Sequence, residues 1–559
     1  MAQVSDAVWA HLRARGVTVV YGCAAETGEP FAVPEGGPEL FRLADAADAA
    51  VAACGHAKLT GSVGCCVVSS EAAAVRLLGG LYDAALDRQP VVALVGLTAG
   101  TPSVPRHDSG RLDRLFRDVA EYASTAARPG DLPRLLDEAF AAAADRRGVS
   151  VVVVPRDVLA AKAAAADSRT AGDGSSLPLP DEAAVQRAAD LLGRGSRPAV
   201  VLGRGACDAG GGALGAAEVL GAGIAKTAAA RDVLPDDLPL VTGAAGPLAT
   251  PATRRMLARC DSLLVVGGGF PHGEWLPEPA RVRVVAVGQD ADGFPADVEL
   301  PGLPVEALEA LVPRLERRTD GGWRGWIEKE VRTWREERDS RARRHFGRVV
   351  NPEAVAAELS ARLPERTVLT ADSGPVAAWW ARNLTLRNGM RAVVAENRAT
   401  RGGGLPYAVA ARLAHPDRPV IALLDGDRFR ETGAESLLAV RRRFDGGSAL
   451  VLCVLDGVDP GLLLSRRGAS GAAVGFSCAD FARLAGMESV RCEVPKQVGA
   501  AWDAALRCES PVVLHFLVDA EIPPAVVAPY GDAGERRGRA TGGLRRLSGH
   551  FGRSRGDVG

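Results

Sequence analysis

The stretch that decides the fold is Val420-Ile421-Ala422-Leu423-Leu424-Asp425-Gly426-Asp427-Arg428-Phe429. Five apolar residues, bounded too tightly for a helix, run into two acids flanking a glycine, which predicts a buried parallel strand opening onto a polar loop. A second apolar strand, Leu450 to Leu455, ends in Asp456-Gly457. In open α/β sheets ligands bind beyond the carboxyl ends of the strands, and neighbouring carboxylates there suit a hard cation that holds a phosphate. Acids at this position also cap the helices that follow. A ligand site and a pair of helix caps both stay open at this point.

Outward from this stretch, residues 351–525 read as one wound sheet. Asn351-Pro352-Glu353 carries a helix start, and apolar strands follow at Thr367–Ala371, Arg391–Ala395 and Pro511–Val518. Residues 1–162 alternate in the same way, with an amphipathic helix at Val4–Arg15, an Ala-rich helix at Leu43–Lys58, and strands at Val17–Tyr21, Val63–Ser69, Pro90–Gly96 and Val149–Val154. Residues 163–180 lose apolar periodicity and gain Gly, Ser and Pro, the composition of a linker. A central unit, 181–318, holds the strands Pro198–Leu202 and Ser262–Val266. Each precedes a glycine cluster that reads as a tight βα turn, because neither has dinucleotide spacing. In the charged stretch 319–350, Trp323, Trp326, Ile327, Val331 and Trp334 recur near helical spacing, which predicts a surface helix linking two domains. The segment 526–559 has seven arginines among Gly and Ser and reads as a basic, disordered tail.

A length of 559 residues exceeds one core, so the chain is expected to be multidomain α/β with three doubly wound parallel sheets. The formal charge of −1 gives no bulk attraction to nucleic acid or to an anionic membrane. No run of about 18 apolar residues is present, and a cytoplasmic protein is expected. Ten cysteines without ligand spacing predict buried, reduced thiols.

Order and spacing of several motifs resemble the thiamine-diphosphate enzymes of the acetolactate synthase and pyruvate oxidase type. The carriers are Gly16–Gly22, Leu59-Thr60-Gly61, Gly80-Leu81-Tyr82-Asp83-Ala84, Val154-Pro155-Arg156-Asp157-Val158, Arg197-Pro198, Gly402–Pro406 and Pro416–Ile421. The resemblance implies a pyrimidine-binding-like, a central and a diphosphate-binding-like domain. It also implies decarboxylation or carboligation of a 2-oxo acid, a C–C lyase or carboligase activity. Thiamine diphosphate with Mg²⁺ is the cofactor, an anionic small molecule the substrate, and a homodimer or homotetramer with sites between subunits the assembly. FAD, carried by some relatives, has no motif here.

Residue by residue, the resemblance puts the cofactor at Ser373, Gly374, Arg401, Asp425, Gly426, Asp427, Arg428, Asp456 and Gly457, with Asp427 and Asp456 as metal ligands. The chain departs from the family's pattern at each of the cofactor motifs. Gly426 stands at the metal aspartate's own position, Arg428 at that of a glycine, and Asp456-Gly457 at that of an Asn-Asn pair. Arg401 replaces a bulky apolar residue. Ala46 holds the place of the glutamate that activates the cofactor, with Asp45 and Asp48 on either side projecting elsewhere around the helix. Asp45, Glu71 in the place of a Gly-Pro-Gly loop, and His107-Asp108 in the place of the substrate-lining Phe-Gln pair are the catalytic candidates. Arg428 is expected to neutralise phosphate directly. The alternative is a family member that lost the cofactor, with a different ligand and chemistry or a non-catalytic role beside an active relative.

Overall fold

The computed structural model describes residues 3–24, 33–97, 112–162, 180–268, 277, 281–288, 295–344, 349–395, 402–431, 434–458 and 477–522. Residues 163–179 of the expected linker, the tail 526–559, His107, Asp108 and Arg401 lie outside them.

The Val-rich runs form central strands that are buried on both faces, which is why they lack alternation, and less apolar, partly exposed strands lie at the sheet edges. In the first sheet these are β1 Val19–Cys23, β2 Glu39–Leu43, β3 Gly64–Val68, β4 Val91–Gly96, β5 Ala120–Thr125 and β6 Val149–Val154. The second holds β7 Pro198–Leu202, β8 Gly223–Lys226, β9 Val241–Ala244, β10 Ser262–Val266, β11 Arg283–Val287 and β12 Val298–Leu300. The third holds β13 Val368–Ala371, β14 Arg391–Val394, β15 Val420–Asp425, β16 Leu450–Val458, β17 Glu488–Cys492 and β18 Val512–Asp519. All three sheets have six strands, and every ladder within them is parallel.

The strand orders separate the sheets into two kinds. β2-β1-β3-β4-β6-β5 in the first and β14-β13-β15-β16-β18-β17 in the third are the same topology, whereas β12-β11-β10-β7-β8-β9 has the dinucleotide-fold order. In the second sheet the two glycine turns close on one another: Gly205 N–H donates to Gly267 O at 3.0 Å, and a Cβ on Gly203 would lie 1.8 Å from Gly268 O. In the third sheet the order reverses between β13 and β15, which places a crevice at the ends of those strands.

The first and third sheets share one hydrophobic core. Helix Ala46–Thr60 packs on helix Gly404–Ala414, and small residues allow the approach: a Cβ on Gly55 would lie 2.6 Å from the Tyr407 ring. A buried polar network crosses this contact. Lys58 Nζ donates to Asp87 Oδ2 at 2.6 Å, to Tyr407 Oη at 2.9 Å and to Val394 O at 3.1 Å, while Tyr407 donates to Asp83.

Helix Gly322–Ala342 buries Ile327, Val331 and Trp334. Arg255 bonds Glu330 on it, and Arg341 on it pairs with Glu353, so it touches the layers of the second and the third sheet. Helix Pro352–Arg362 starts as its sequence predicts, with Asn351 Oδ1 accepting from Glu353 N–H at 2.9 Å. All ten cysteines are reduced thiols, and eight are buried. Among the described residues no helix is long and apolar enough to cross a membrane.

Candidate functional site

The crevice at the switch point of the third sheet is organised by a residue that motif reading passed over. Asp372 follows β13 and is 3% exposed. One of its carboxylate oxygens accepts from Gly404 N–H and the other from Asp425 N–H, both at 2.8 Å, so it ties the start of helix Gly404–Ala414 to the end of β15. Burial raises its carboxyl to about 6 against those two bonds, and nearby Asp425 adds to the rise. The available signal was position, since an acid directly after the strand beside a switch point is where such a brace is needed. Ser373 and Gly374 follow at the same strand end, before helix Pro375–Asn383.

At β15, Asp425 acts as a helix cap. Its Oδ1 accepts from Asp427 N–H at 3.1 Å and Arg428 N–H at 3.2 Å, at the start of helix Gly426–Glu431. Asp427, expected as a metal ligand, has an 86% exposed side chain whose Oδ1 accepts from Arg430 at 3.0 Å. Arg428, expected on a phosphate, pairs with Glu431.

The strand β16 continues to Val458, so Asp456 lies inside it rather than after it, in register with Leu517 of β18. The longer strand is a tertiary effect, because β18 pairs alongside it to Asp519. Asp456 is buried, and its carboxylate is held from two sides. Arg430 donates Nη1 to Oδ2 and Nη2 to Oδ1, each at 3.0 Å, and the wholly buried His515 places Nε2 at 3.0 Å from Oδ2. Burial alone would raise the carboxyl, but the His515 and Arg430 bonds outweigh it and hold it down to about 2. Cys478 completes the cluster, its Sγ 3.0 Å from Arg430 Nη1, and burial pushes this thiol up to about 12. Arg430, Cys478 and His515 carry no motif. They come from a helix, a second helix start and a strand that only the fold brings together.

These contacts decide how the residues present suit a divalent ion. A Cβ on Gly426 would lie 2.5 Å from Asp456 Oδ1 and 2.9 Å from Asp456 Cα, so no carboxylate fits at the position of the family's metal aspartate. Both oxygens of Asp456 are engaged by Arg430. Gly457 is exposed and offers no side chain. The donor set does not fit Mg²⁺, which takes oxygen ligands in near-octahedral geometry.

The first sheet faces this crevice within the same chain. Ala44 N–H donates to Ser436 Oγ at 2.9 Å, and Phe41 stacks on Phe444 with ring centroids 5.7 Å apart. At the start of helix Ala46–Thr60, Ala46 is buried. Asp45, expected as a catalytic candidate, is instead the N-cap, accepting from Ala47 N–H at 2.8 Å and pairing with Arg76. Asp48, which flanks Ala46 on the same helix, is half-buried beside Arg428 and Asp372. Burial raises it to about 6, Arg428 opposes the rise, and Asp372 adds to it. Glu71 is an exposed residue of the first turn of its helix, which Ser70 caps.

With this geometry in place, comparison with known proteins is informative. The family description "Thiamine pyrophosphate enzyme, N-terminal TPP binding domain" matches residues 2–113, and "Thiamine pyrophosphate enzyme, central domain" matches residues 185–311. The chain carries the N-terminal and central domains of thiamine pyrophosphate enzymes. It is 27% identical over 501 residues to YdaP of Bacillus subtilis, described as a thiamine pyrophosphate-containing protein, across 87% of this chain and 85% of that one. To the acetolactate synthase isozyme 2 large subunit of Escherichia coli it is 26% identical over 549 residues, covering 91% of this chain and 94% of that one. A solved structure from Mycobacterium smegmatis, described as a thiamin diphosphate-dependent enzyme, has the same fold, with a TM-score of 0.75 at 20% identity over 93% of this chain and 99% of that one. Both matched descriptions name thiamine pyrophosphate, which makes thiamine diphosphate the ligand the family leads one to expect. The strand ends described above are where this member departs from that expectation.

Proposed function

We propose that this chain is a thiamine pyrophosphate enzyme family member that has given up metal-held thiamine diphosphate and uses the same interdomain crevice for a different ligand. The observation that carries this reading is the closed state of Asp456, with both carboxylate oxygens taken by Arg430 and one also by His515. A metal would have to displace the guanidinium from a carboxylate that is already charge-matched and hydrogen-bonded on both oxygens, so what it gained there would be offset by the ion pair it broke. Arg428 is also paired, with Glu431. In this reading Asp48 takes the proton-handling place on the first domain's helix, two residues beyond the position of the family's glutamate. A carboxyl titrating at about 6 exchanges a proton near neutrality.

A second reading keeps the activity of the relatives, decarboxylation or carboligation of a 2-oxo acid with thiamine diphosphate and Mg²⁺. Its support is the likeness to acetolactate synthase across nearly the whole chain. In both readings the chain is cytoplasmic and assembles as a homodimer or homotetramer. Within one chain the layers of the first and third sheets already pack against each other.

Calorimetry and thermal melting of the purified protein with thiamine diphosphate and Mg²⁺ separate the two. A ligand present at 100 times its Kd stabilises the folded state by about 2.7 kcal/mol. No heat and no rise in Tm at millimolar ligand are expected. A clear rise in Tm would overturn the first reading in favour of the second.

A further inference from the structure

A carboxylate buried at a strand end needs a cation beside it, and here the chain supplies one from its own sequence. Arg430 Nη2 lies 3.0 Å from Asp427 Oδ1 and 3.0 Å from Asp456 Oδ1, so one nitrogen bridges the two acids that motif reading assigns to a metal. Its partner nitrogen, Nη1, lies 3.0 Å from Asp456 Oδ2 and 3.0 Å from Cys478 Sγ. We propose that Arg430 is a built-in replacement for the divalent ion, and that beneath it Asp456, Cys478 and His515 form a latent transition-metal site which the guanidinium keeps closed. The inference rests on the reading that this member no longer holds Mg²⁺ at Asp456, and it names what took the ion's place.

The geometry beneath the guanidinium supports the second half of the inference. One donor atom from each of Asp456, Cys478 and His515 lies within 4.8 Å of the other two, and all three residues are buried. Asp456 Oδ2 is 3.0 Å from His515 Nε2 and 3.9 Å from Cys478 Sγ. Those separations bracket the edge of a tetrahedron with bonds of about 2.0–2.3 Å. Thiolate, imidazole and a single carboxylate select Zn²⁺ or Co²⁺ over Mg²⁺. The lid on this set is a side chain that is 35% exposed, on a six-residue helix, and can leave toward solvent. His515 and Cys478 are held by β18 and by a capped helix start, so the donors stay in place when the lid is removed.

The test uses the full-length chain and Co²⁺ as the probe, read by absorption and by Tm, in wild type, Arg430→Ala and Arg430→Lys. Wild type is expected to show no thiolate-to-cobalt charge-transfer band. R430A is expected to gain a 1:1 band, lost on adding Cys478→Ser, with cobalt bound about tenfold tighter or more, the scale on which neighbours of a ligand alter metal affinity. R430K keeps the charge but cannot span both oxygens, and binds cobalt more weakly than R430A; it decides the matter if R430A does not fold, by binding cobalt more tightly than wild type. An equal band in wild type and R430A would overturn the inference, and so would its absence from both Arg430 variants. Loss of the reading itself would appear in a separate titration, as stabilisation of wild type by thiamine diphosphate with Mg²⁺.

Discussion

Arg430 grips Asp456 through both terminal nitrogens of its guanidinium, each 3.0 Å from a different carboxylate oxygen. The folded chain holds this carboxyl at about 2, below the value of about 3.9 it has when unfolded. A depressed acid contributes stability that is present above the unfolded value and is lost as the pH falls through the folded one. Asp456→Asn should therefore cost about 2–3 kcal/mol at pH 6, with the gap to wild type closing between about pH 4 and 2. Urea melts across that range check it, and a gap independent of pH would show that the ion pair is not its source.

Asp48 works in the opposite direction. Its carboxyl is raised to about 6 in the folded chain, so its contribution is full below the unfolded value and is lost as the pH rises through 6. Asp48→Asn removes a charge held near Asp372 and should be about 2–3 kcal/mol more stable than wild type at pH 8, with the gap opening between about pH 4 and 6. A variant less stable than wild type at pH 8 would mean that Arg428 dominates over burial and Asp372.

The network between the first and third sheets sets Lys58 beside both Asp83 and Asp87. Lys58→Met is expected to cost about 3–5 kcal/mol, because two buried carboxyls lose a cation they share. Adding Asp87→Asn should recover part of that loss. Equilibrium unfolding of the two variants decides it, and a single variant as stable as wild type would refute the role of Lys58.

Restoring the family's aspartate alone should fail. In Gly426→Asp the new Cβ meets Asp456 Oδ1 at 2.5 Å, an overpacking that costs about 1–3 kcal/mol before any charge repulsion. Thermal melting is expected to show a lower Tm and no response to Mg²⁺. A Tm at or above that of wild type, rising with Mg²⁺, would show that the strand ends can still open for a metal.

Much of this was legible in the chain itself. Strands such as Val149–Val154 and Val420–Asp425 announce themselves because burial on both faces demands uninterrupted apolar runs. The same stretch marked the strand ends where Asp425 and Asp456 meet, although the apolar run alone left a ligand site and a helix cap equally open. The roles within the crevice were not legible. Whether Asp425 caps a helix or binds an ion depends on which backbone N–H groups lie within reach, and Asp45 and Asp48 differ only by the rotation of one helix.

Local order in the sequence, then, determined the three parallel sheets, the family, and the place where Asp425, Gly426 and Asp456 meet, because periodicity and spacing are carried by neighbouring residues. Only the tertiary structure decided that Asp372 braces the crevice, that Asp48 faces it, and that Arg430 occupies the cation's position beside Asp456, Cys478 and His515. Those contacts join residues 26 to 380 positions apart. Their energies arise from burial and charge in three dimensions, which no short stretch of sequence records.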